Sequence, residues 1–215
     1  MTIEIWFDFM CPQSYLLQMS FIEALKQYPD KNIDVLYRSY EMIPGMEEHT
    51  ENSLYDVIAK HLLIERDEVE AFFKDYPVIQ DQKPYPVSQI HRLSHLAKIN
   101  HQQHAFITTV LKDYYENHLN ISDHQYLLNT CLNLGIPQDK ILEVLQSNKY
   151  QAQVDSNREN AILKGIHRIP HMRINGIQPM YGFQKVTQLI QAFDYAKQLE
   201  KRKDVCDDDT CAVTE

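Results

Sequence analysis

Residues 3–14 read I-E-I-W-F-D-F-M-C-P-Q-S. The apolar and aromatic run over residues 3–9 predicts a strand. Pro12 is favoured at the first position of a helix, so a helix is predicted to begin there. After a turn at residues 29–32, residues 33–40 predict a second strand. The opening is therefore a β-α-β unit, which favours parallel strands joined by a right-handed crossover.

Cys11 stands where this strand gives way to the helix. A thiol at a helix N-terminus faces unpaired N–H groups and the positive end of the helix dipole. Both favour the thiolate, so we expect the pKa of Cys11 to lie below that of a free cysteine. The alternative interpretation is a buried cysteine that packs as a small apolar side chain.

The remainder of the chain is mostly helical in pattern. Residues 53–148 repeat apolar side chains at helical spacing and show no strand pattern, which predicts an all-helical segment. A further helix over residues 150–164 ends at Gly165. Residues 171–174 and 179–181 predict two strands joined by a tight turn at Asn175-Gly176. Gly182 is predicted to begin the last helix, and residues 203–215 are predicted to form a flexible acidic tail.

Composition excludes several classes of function. The 215 residues carry a net charge of −9, which argues against a general nucleic-acid binder and against docking on an anionic membrane surface. No run of about 18 apolar residues is present, and no signal peptide is apparent. With only four cysteines in a chain of this length, we expect a reducing, cytoplasmic location.

Two further candidates receive structural interpretations. Cys131 lies on the apolar face of a predicted helix, which indicates a buried and inert thiol. His91 and His95 have the i, i+4 spacing of a metal-binding pair. No third ligand stands at matching spacing, so packing or surface polarity is the preferred interpretation, and no metal or cofactor is predicted.

Several segments together resemble the DsbA branch of the thioredoxin-like proteins, and most closely its FrnE-like cytoplasmic subfamily. The resemblance covers residues 3–211. The segments that carry it, in order, are residues 6–12, 88–98, 161–170, 181–184 and 206–211.

This resemblance implies an α/β, thioredoxin-like fold with an inserted all-helical domain. Residues 1–50 and 149–202 would form the discontinuous thioredoxin-like domain. Residues 51–148 would form the helical insertion, and residues 203–215 the flexible tail with its two cysteines.

The resemblance also implies roles for the residues of the site. Cys11 would be the nucleophile, partly exposed and within van der Waals reach of Pro170, the family's cis-proline. The alternative for Pro170 is an ordinary proline at a strand edge. Ile169 would offer backbone groups to an extended substrate, which is a form of strand addition.

Three more residues are assigned to substrate binding, namely Pro12, Gln13 and His171. His171 and Arg173 share a face of their strand. They could hold an anionic thiol substrate or lower the pKa of Cys11, and solvation at the surface is the alternative.

Ser14 departs from the family pattern, because it replaces the usual resolving cysteine. The site is therefore monothiol, and release of a mixed disulfide needs a second thiol. Glutathione, as a candidate co-substrate, the substrate itself or this chain could supply it. Ser14 can instead donate a hydrogen bond to the Cys11 sulfur and favour its thiolate.

Cys206 and Cys211 are the candidate resolving thiols within the chain. An inert acidic tail is the alternative. A metal clip is a third interpretation, and it is disfavoured because a second ligand pair is missing.

Three functions follow from these residues. The first is a thiol–disulfide oxidoreductase or isomerase acting on protein or small-molecule thiols and disulfides. The second is a glutathione-dependent transferase or isomerase of the kappa or 2-hydroxychromene-2-carboxylate type. Those relatives carry serine where Cys11 stands, which weighs against them. The third is a non-enzymatic adaptor on a degenerate thioredoxin-like fold.

Overall fold

The structure is a computed structural model, and it describes residues 1–47 and 50–207. Four strands in this part of the chain form one sheet: β1 (Thr2–Phe7), β2 (Asp34–Ser39), β3 (His171–Ile174) and β4 (Gln178–Tyr181). The described residues also form nine helices: α1 (Pro12–Gln27), α2 (Leu54–Leu62), α3 (Arg66–Phe73), α4 (Ser88–Ile99), α5 (Gln103–Tyr115), α6 (His124–Asn133), α7 (Gln138–Leu145), α8 (Gln151–Leu163) and α9 (Val186–Asp207). None of the helices described is long and apolar enough to cross a membrane.

The sheet has the strand order β2-β1-β3-β4. β1 and β2 are parallel, and α1 connects them, so the predicted β-α-β opening is confirmed. β3 runs antiparallel to β1, and β4 runs antiparallel to β3. Asn175 and Gly176 both have positive φ, at 50° and 74°, which is the backbone that a tight two-residue hairpin turn requires.

The segment between β2 and α8 contains helices α2 to α7, and none of its described residues joins the sheet. The prediction of an all-helical segment is confirmed. α2 begins at Ser53, whose hydroxyl accepts from the Asp56 N–H while the Asp56 carboxylate accepts from the Ser53 N–H. Within this segment, α5 packs against α1 and α4 packs against α8. The domain boundaries given above stay predictions.

Two cores cover the two faces of the sheet. Alternate side chains of a strand point to opposite faces, and Ile3, Ile5 and Phe7 of β1 lie in the larger core, which also contains Cys11. Trp6 lies on the other face, in a smaller core that it shares with Tyr40, Ala161 and Ile166. The α/β fold with a helical insertion is thus present, with Cys11 at the end of a central strand.

Three predicted boundaries are wrong. β1 ends at Phe7, two residues early, because the Asp8 carboxylate accepts from the Met10 N–H and forms a turn. The last helix begins at Val186, since Gly182 has a φ of 67° and donates its N–H to the Pro170 carbonyl at 2.8 Å. That helix continues to Asp207, so residues 203–207 of the predicted tail are helical. The rest of the predicted tail, residues 208–215, lies outside the described residues.

Candidate functional site

Cys11 is the N-cap residue of α1. Its backbone is extended, with φ −91° and ψ 111°, and its carbonyl accepts from the N–H groups of Ser14 at 2.9 Å and Tyr15 at 3.3 Å. Pro12 occupies the first helical position, where a missing N–H costs nothing. The sulfur is therefore attached to the residue that opens the helix, as the sequence predicts.

The cis-proline segment lies directly against this thiol. The Ile169–Pro170 peptide bond is cis. The Cys11 Sγ donates to the Ile169 carbonyl oxygen, and the two atoms are 3.7 Å apart. Pro170 is buried and Ile169 is half-buried. The structure thus brings Cys11, Ile169 and Pro170 together.

The expected exposure and acidity of Cys11 are both wrong. Its side chain is buried, with 6% of the residue's surface accessible. Burial raises the pKa of Cys11 to about 11, since a thiolate loses its hydration there, and hydrogen bonding from Ser14 lowers the pKa only in part. The buried carboxylate of Asp8 adds to the rise. Cys11 at rest is a protonated thiol whose S–H has a carbonyl acceptor.

Ser14 and Asp8 hold the loop around the thiol. The Ser14 hydroxyl accepts from the Asp8 N–H at 3.4 Å, and its hydrogen bond to Cys11 favours the thiolate. The Asp8 carboxylate is fully buried and accepts from the N–H groups of Met10, at 2.8 Å, and Met42. His91 of α4 lies beside it, with Nε2 3.8 Å from the carboxylate oxygen. This buried carboxylate fixes the chain that leads from β1 to Cys11.

Gln13 ties the cysteine loop to the end of β4. Its side-chain carbonyl oxygen accepts from the Phe183 N–H at 3.2 Å. The same oxygen occupies the space where a Cβ on Gly182 would lie, 2.6 Å away. Phe183 in turn packs its ring on Tyr76, with ring centroids 5.7 Å apart. We assigned Gln13 to substrate binding, and in the structure its acceptor is engaged with this neighbouring loop.

His171 is a buried residue at the start of β3. The residue is 1% exposed, and its ring lies between Trp6, at 5.5 Å, and Tyr181, at 4.8 Å. Arg173 shares its face, as predicted, and donates from Nε to the His171 Nε2 at 3.2 Å. Burial and the adjacent Arg173 lower the pKa of His171 to about 4, so the ring is neutral. A buried, neutral ring offers no positive charge to an anionic substrate in the resting state, and the assignment of His171 to substrate binding stays a prediction.

The other cysteines fall into different classes. Cys131 is fully buried in the larger core, and burial raises its pKa to about 12, so its predicted inert role fits its position. The backbone of Cys206 lies in α9, near its end. Cys211 lies outside the described residues. Within the described part of the chain, no cluster of three or more histidine, cysteine, aspartate or glutamate side chains could hold a metal ion.

Sequence reasoning missed three residues that shape the site. Asp8 interrupts an apolar stretch, which is a signal that could have marked it. Phe183 gave no signal of its contact with Gln13. Tyr115, fully buried on α5 beside the first turn of α1, comes from a distant part of the sequence, and no local pattern announces it.

Comparison with known proteins gives one family. The family model described as a DSBA-like thioredoxin domain matches residues 2–194. A comparison with curated protein sequences finds no match.

Solved structures support the same fold. A probable DsbA oxidoreductase from Streptomyces coelicolor is 20% identical, with a TM-score of 0.81 over 92% of this chain and 90% of that chain. A 2-hydroxychromene-2-carboxylate isomerase is 15% identical, with a TM-score of 0.67 over 96% and 99%. The cytosolic disulfide reductase DsbM from Pseudomonas aeruginosa is 16% identical, with a TM-score of 0.60 over 95% and 100%, and it has also been solved with GSH. At these identities the likeness establishes the fold.

Proposed function

The chain belongs to the family of DSBA-like thioredoxin domains, and on this premise we propose that it is a thiol–disulfide oxidoreductase or isomerase with a monothiol site at Cys11. The observation that carries this proposal is the position of the Cys11 sulfur. It lies at the N-terminus of α1 and 3.7 Å from the carbonyl of Ile169, the residue before Pro170. The FrnE-like subfamily is our finer assignment, and it rests on the motifs quoted above.

The exchange proceeds in two balanced steps. The Cys11 thiolate attacks one sulfur of a substrate disulfide, so a Cys11–substrate disulfide forms and the other sulfur leaves as a thiolate. A second thiol, after losing its proton, then attacks the mixed disulfide and restores the Cys11 thiolate. Ser14 cannot supply that second sulfur. Glutathione or another small thiol, the substrate's own thiol, or Cys206 or Cys211 of this chain is required.

Substrate binding offers a way to activate the resting thiol. The Cys11 S–H donates to the Ile169 carbonyl, and this hydrogen bond stabilises the neutral form. An extended substrate that adds its backbone at Ile169 would bring an amide N–H to the same oxygen. The substrate N–H then competes with the thiol for this oxygen, which weakens the hydrogen bond that favours the neutral thiol and lowers its pKa. Peptide-like disulfides, including that of glutathione, would activate the thiol in this way when they bind.

A reducing compartment fits such a site, and we therefore propose a cytoplasmic protein. A monothiol enzyme depends on a pool of small thiols to release its adducts, and the cytosol maintains one. Protein or small-molecule thiols and disulfides are the proposed partners.

The test is formation and use of a Cys11 mixed disulfide. In a background with Cys206→Ser and Cys211→Ser, we expect intact-mass measurement to show one glutathione adduct, on Cys11, after incubation with glutathione disulfide. With glutathione present, the protein should also rearrange a substrate with scrambled disulfides. Cys11→Ser should abolish both, whereas Cys131→Ala, which removes the other buried thiol, should leave both intact. A Cys11→Ser variant that keeps both the adduct and the rearrangement activity would refute the proposal. A wild type that shows neither would favour a non-enzymatic adaptor.

A glutathione-dependent transferase or isomerase is the second candidate. Two observations favour it: the fold shared with a 2-hydroxychromene-2-carboxylate isomerase, and the 6% exposure of Cys11, which suits a small substrate better than a folded protein. Conjugation of glutathione to an aromatic electrophile by the wild type and by Cys11→Ser separates the two. A serine variant that stays active would support this candidate, since serine stands at that position in the relatives.

A further inference from the structure

Two backbone groups at the open end of the β3–β4 hairpin are occupied by side chains of residues 11–13. The Ile169 carbonyl accepts the S–H of Cys11, with 3.7 Å between oxygen and sulfur. The Phe183 N–H donates to Oε1 of Gln13 at 3.2 Å. In the resting protein the segment that carries the nucleophile therefore fills both an acceptor and a donor of the neighbouring backbone.

The two backbone groups lie on neighbouring chains of the hairpin. β3 and β4 run antiparallel, and the Gly182 N–H donates to the Pro170 carbonyl at 2.8 Å, which continues their pairing one step beyond the strands. Ile169 precedes Pro170 and Phe183 follows Gly182, so each group comes next along its own chain. Side chains of residues only two positions apart reach both groups. One short extended peptide, at about 3.3 Å per residue, can therefore contact both.

Gly182 leaves room for the Gln13 oxygen. A Cβ at this position would lie 2.6 Å from Oε1 of Gln13, which is closer than a side chain can tolerate. Glycine is favoured where a ligand approaches the backbone closely. Here the place of such a ligand, next to the N–H of Phe183, is taken by a side chain of the same protein.

The Gln13 side chain offers the same acceptor as a peptide bond. Its Oε1 is an amide oxygen, and Gln13 is half-buried, so the side chain has solvent into which it can move. Phe183 is fixed by its ring, which packs edge-on against Tyr76 with centroids 5.7 Å apart. The carbonyl of a bound peptide can therefore replace the Gln13 oxygen at a donor that keeps its position.

We propose that the Phe183 N–H is a second backbone anchor for a peptide substrate, and that Gln13 occupies this anchor when no substrate is bound. This inference rests on the proposed function. The substrate places an N–H on the Ile169 carbonyl and a carbonyl on the Phe183 N–H, from which it displaces Gln13. The exchange at sulfur follows the two steps given above, and Gln13 transfers neither a proton nor an electron. Gln13 is thus an internal competitor of the peptide carbonyl.

Gln13→Ala tests the anchor, and two disulfide probes provide the readout. The first probe is the disulfide of N-acetylcysteine N-methylamide, which carries a peptide N–H and a peptide carbonyl on each side of its sulfur. The second is bis(2-hydroxyethyl) disulfide, which contains no amide. Intact mass followed over time gives the rate constant of Cys11 adduct formation with each probe, in a background with Cys206→Ser and Cys211→Ser. The ratio of the two rate constants, amide probe over hydroxyethyl probe, cancels any change in the pKa of Cys11.

Removal of the Gln13 carboxamide should raise this ratio about fivefold, which is the effect of one net hydrogen bond. Gln13→Glu keeps an oxygen acceptor and should hold the ratio at or below that of the background protein. Gln184→Ala is the matched control from the same turn, because its Nε2 donates to the Tyr181 carbonyl at 2.7 Å and its loss leaves the Gln13 contact in place. This control should change the ratio less than twofold.

Three results would overturn the inference. An unchanged or lower ratio in Gln13→Ala would show that the Phe183 N–H does not receive the peptide carbonyl. An equal rise in Gln184→Ala would assign the effect to a loosened turn, and an equal rise in Gln13→Glu would assign it to something other than the lost acceptor. Each of these results leaves the proposed function standing. Failure of both probes to form an adduct on Cys11 of the background protein would instead refute that function.

Discussion

Replacement of Cys11 by alanine should remove part of the loss of stability at alkaline pH. The folded pKa of Cys11 is about 11 because the thiol is buried, whereas an unfolded cysteine titrates near 8.5. Between these values the unfolded chain has lost the proton and the folded chain still holds it. The unfolded state then binds fewer protons, so the free energy of unfolding falls as pH rises. The stabilising contribution is fully present below pH 8.5 and is lost as the pH rises towards 11.

The magnitude follows from the two pKa values. The contribution of Cys11 to this loss is close to zero at pH 7, about 0.8 kcal/mol at pH 9 and about 2 kcal/mol at pH 10. Tyrosines and lysines also titrate in this range, but they are common to both proteins and cancel in the difference. The comparison therefore uses the change in the free energy of unfolding with pH in each protein. The cost of the cavity left by alanine does not depend on pH, so it cancels in this change.

The assay is urea unfolding of wild type and Cys11→Ala at pH 7, 9 and 10, in a background with Cys206→Ser and Cys211→Ser and with a reductant present. We expect the wild type to lose about 2 kcal/mol more than the variant between pH 7 and pH 10. Cys131→Ala should show the same difference from the wild type, because burial raises the pKa of that thiol too. An identical pH dependence in wild type and Cys11→Ala would refute the raised pKa. A wild type that gains stability over the variant as the pH rises from 5 to 8 would instead indicate a depressed pKa.

The remaining predictions concern the loop that holds the thiol. In a background with Cys206→Ser and Cys211→Ser, Ser14→Cys should let the protein expel a Cys11–glutathione adduct by forming an internal disulfide, whereas the same background with Ser14 should keep the adduct until thiol is added. Intact mass followed over time measures both, and equal clearance would contradict a monothiol mechanism. Clearance by the wild type alone, with its tail cysteines, would identify the tail as the resolving element. Gly182→Ala should lower the free energy of unfolding by about 1–2 kcal/mol, since a φ of 67° is costly for a residue with a Cβ and that Cβ would lie 2.6 Å from the Gln13 carbonyl oxygen. Gly182→Asn meets the same oxygen but tolerates a positive φ better, so it should cost less in the same urea titration. An equal cost would count against backbone strain and point to displacement of Gln13. Cys11 of the folded protein should react with iodoacetamide at pH 7 at least tenfold more slowly than Cys11 of the protein unfolded in urea. Its thiolate fraction is about 300-fold lower, and the greater nucleophilicity of the more basic thiolate restores only part of the rate. A folded-state rate above the unfolded-state rate would contradict the buried, protonated thiol.

Those parts of the fold that local sequence patterns determine could be predicted from the sequence. The start of α1 follows from Pro12, and the β3–β4 hairpin follows from Asn175-Gly176, because these residues favour specific backbone angles. The helical character of the inserted segment follows from periodicity alone. Boundaries fail where a side chain or a long-range hydrogen bond decides them, as with Asp8 after β1 and Gly182 before α9.

The chemical state of the site depends on contacts that no local pattern reveals. The position of Cys11 at a helix N-terminus was predictable, but its burial is not, since residues from α5 and from the cis-proline segment share its core. The burial of His171 is not evident from the sequence for a related reason. Alternation along β3 gives its face correctly, yet the pattern does not say that Trp6 and Tyr181 cover that face.

Two opposing groups of effects act on Cys11, and their balance sets the protonation state of the thiol. The helix N-terminus and Ser14 favour the thiolate, whereas burial and the Asp8 carboxylate favour the thiol, and burial is the largest of these effects. Oxidation by peroxides follows thiolate character and exposure, so a protonated and buried thiol is protected at rest. Protection matters in a monothiol site, because Ser14 cannot trap a sulfenic acid as an internal disulfide. Ser14 already donates to the sulfur, and a substrate that binds at Ile169 would compete for the acceptor that keeps the proton on the sulfur. Under the proposed function, the nucleophile would be released where its target is bound.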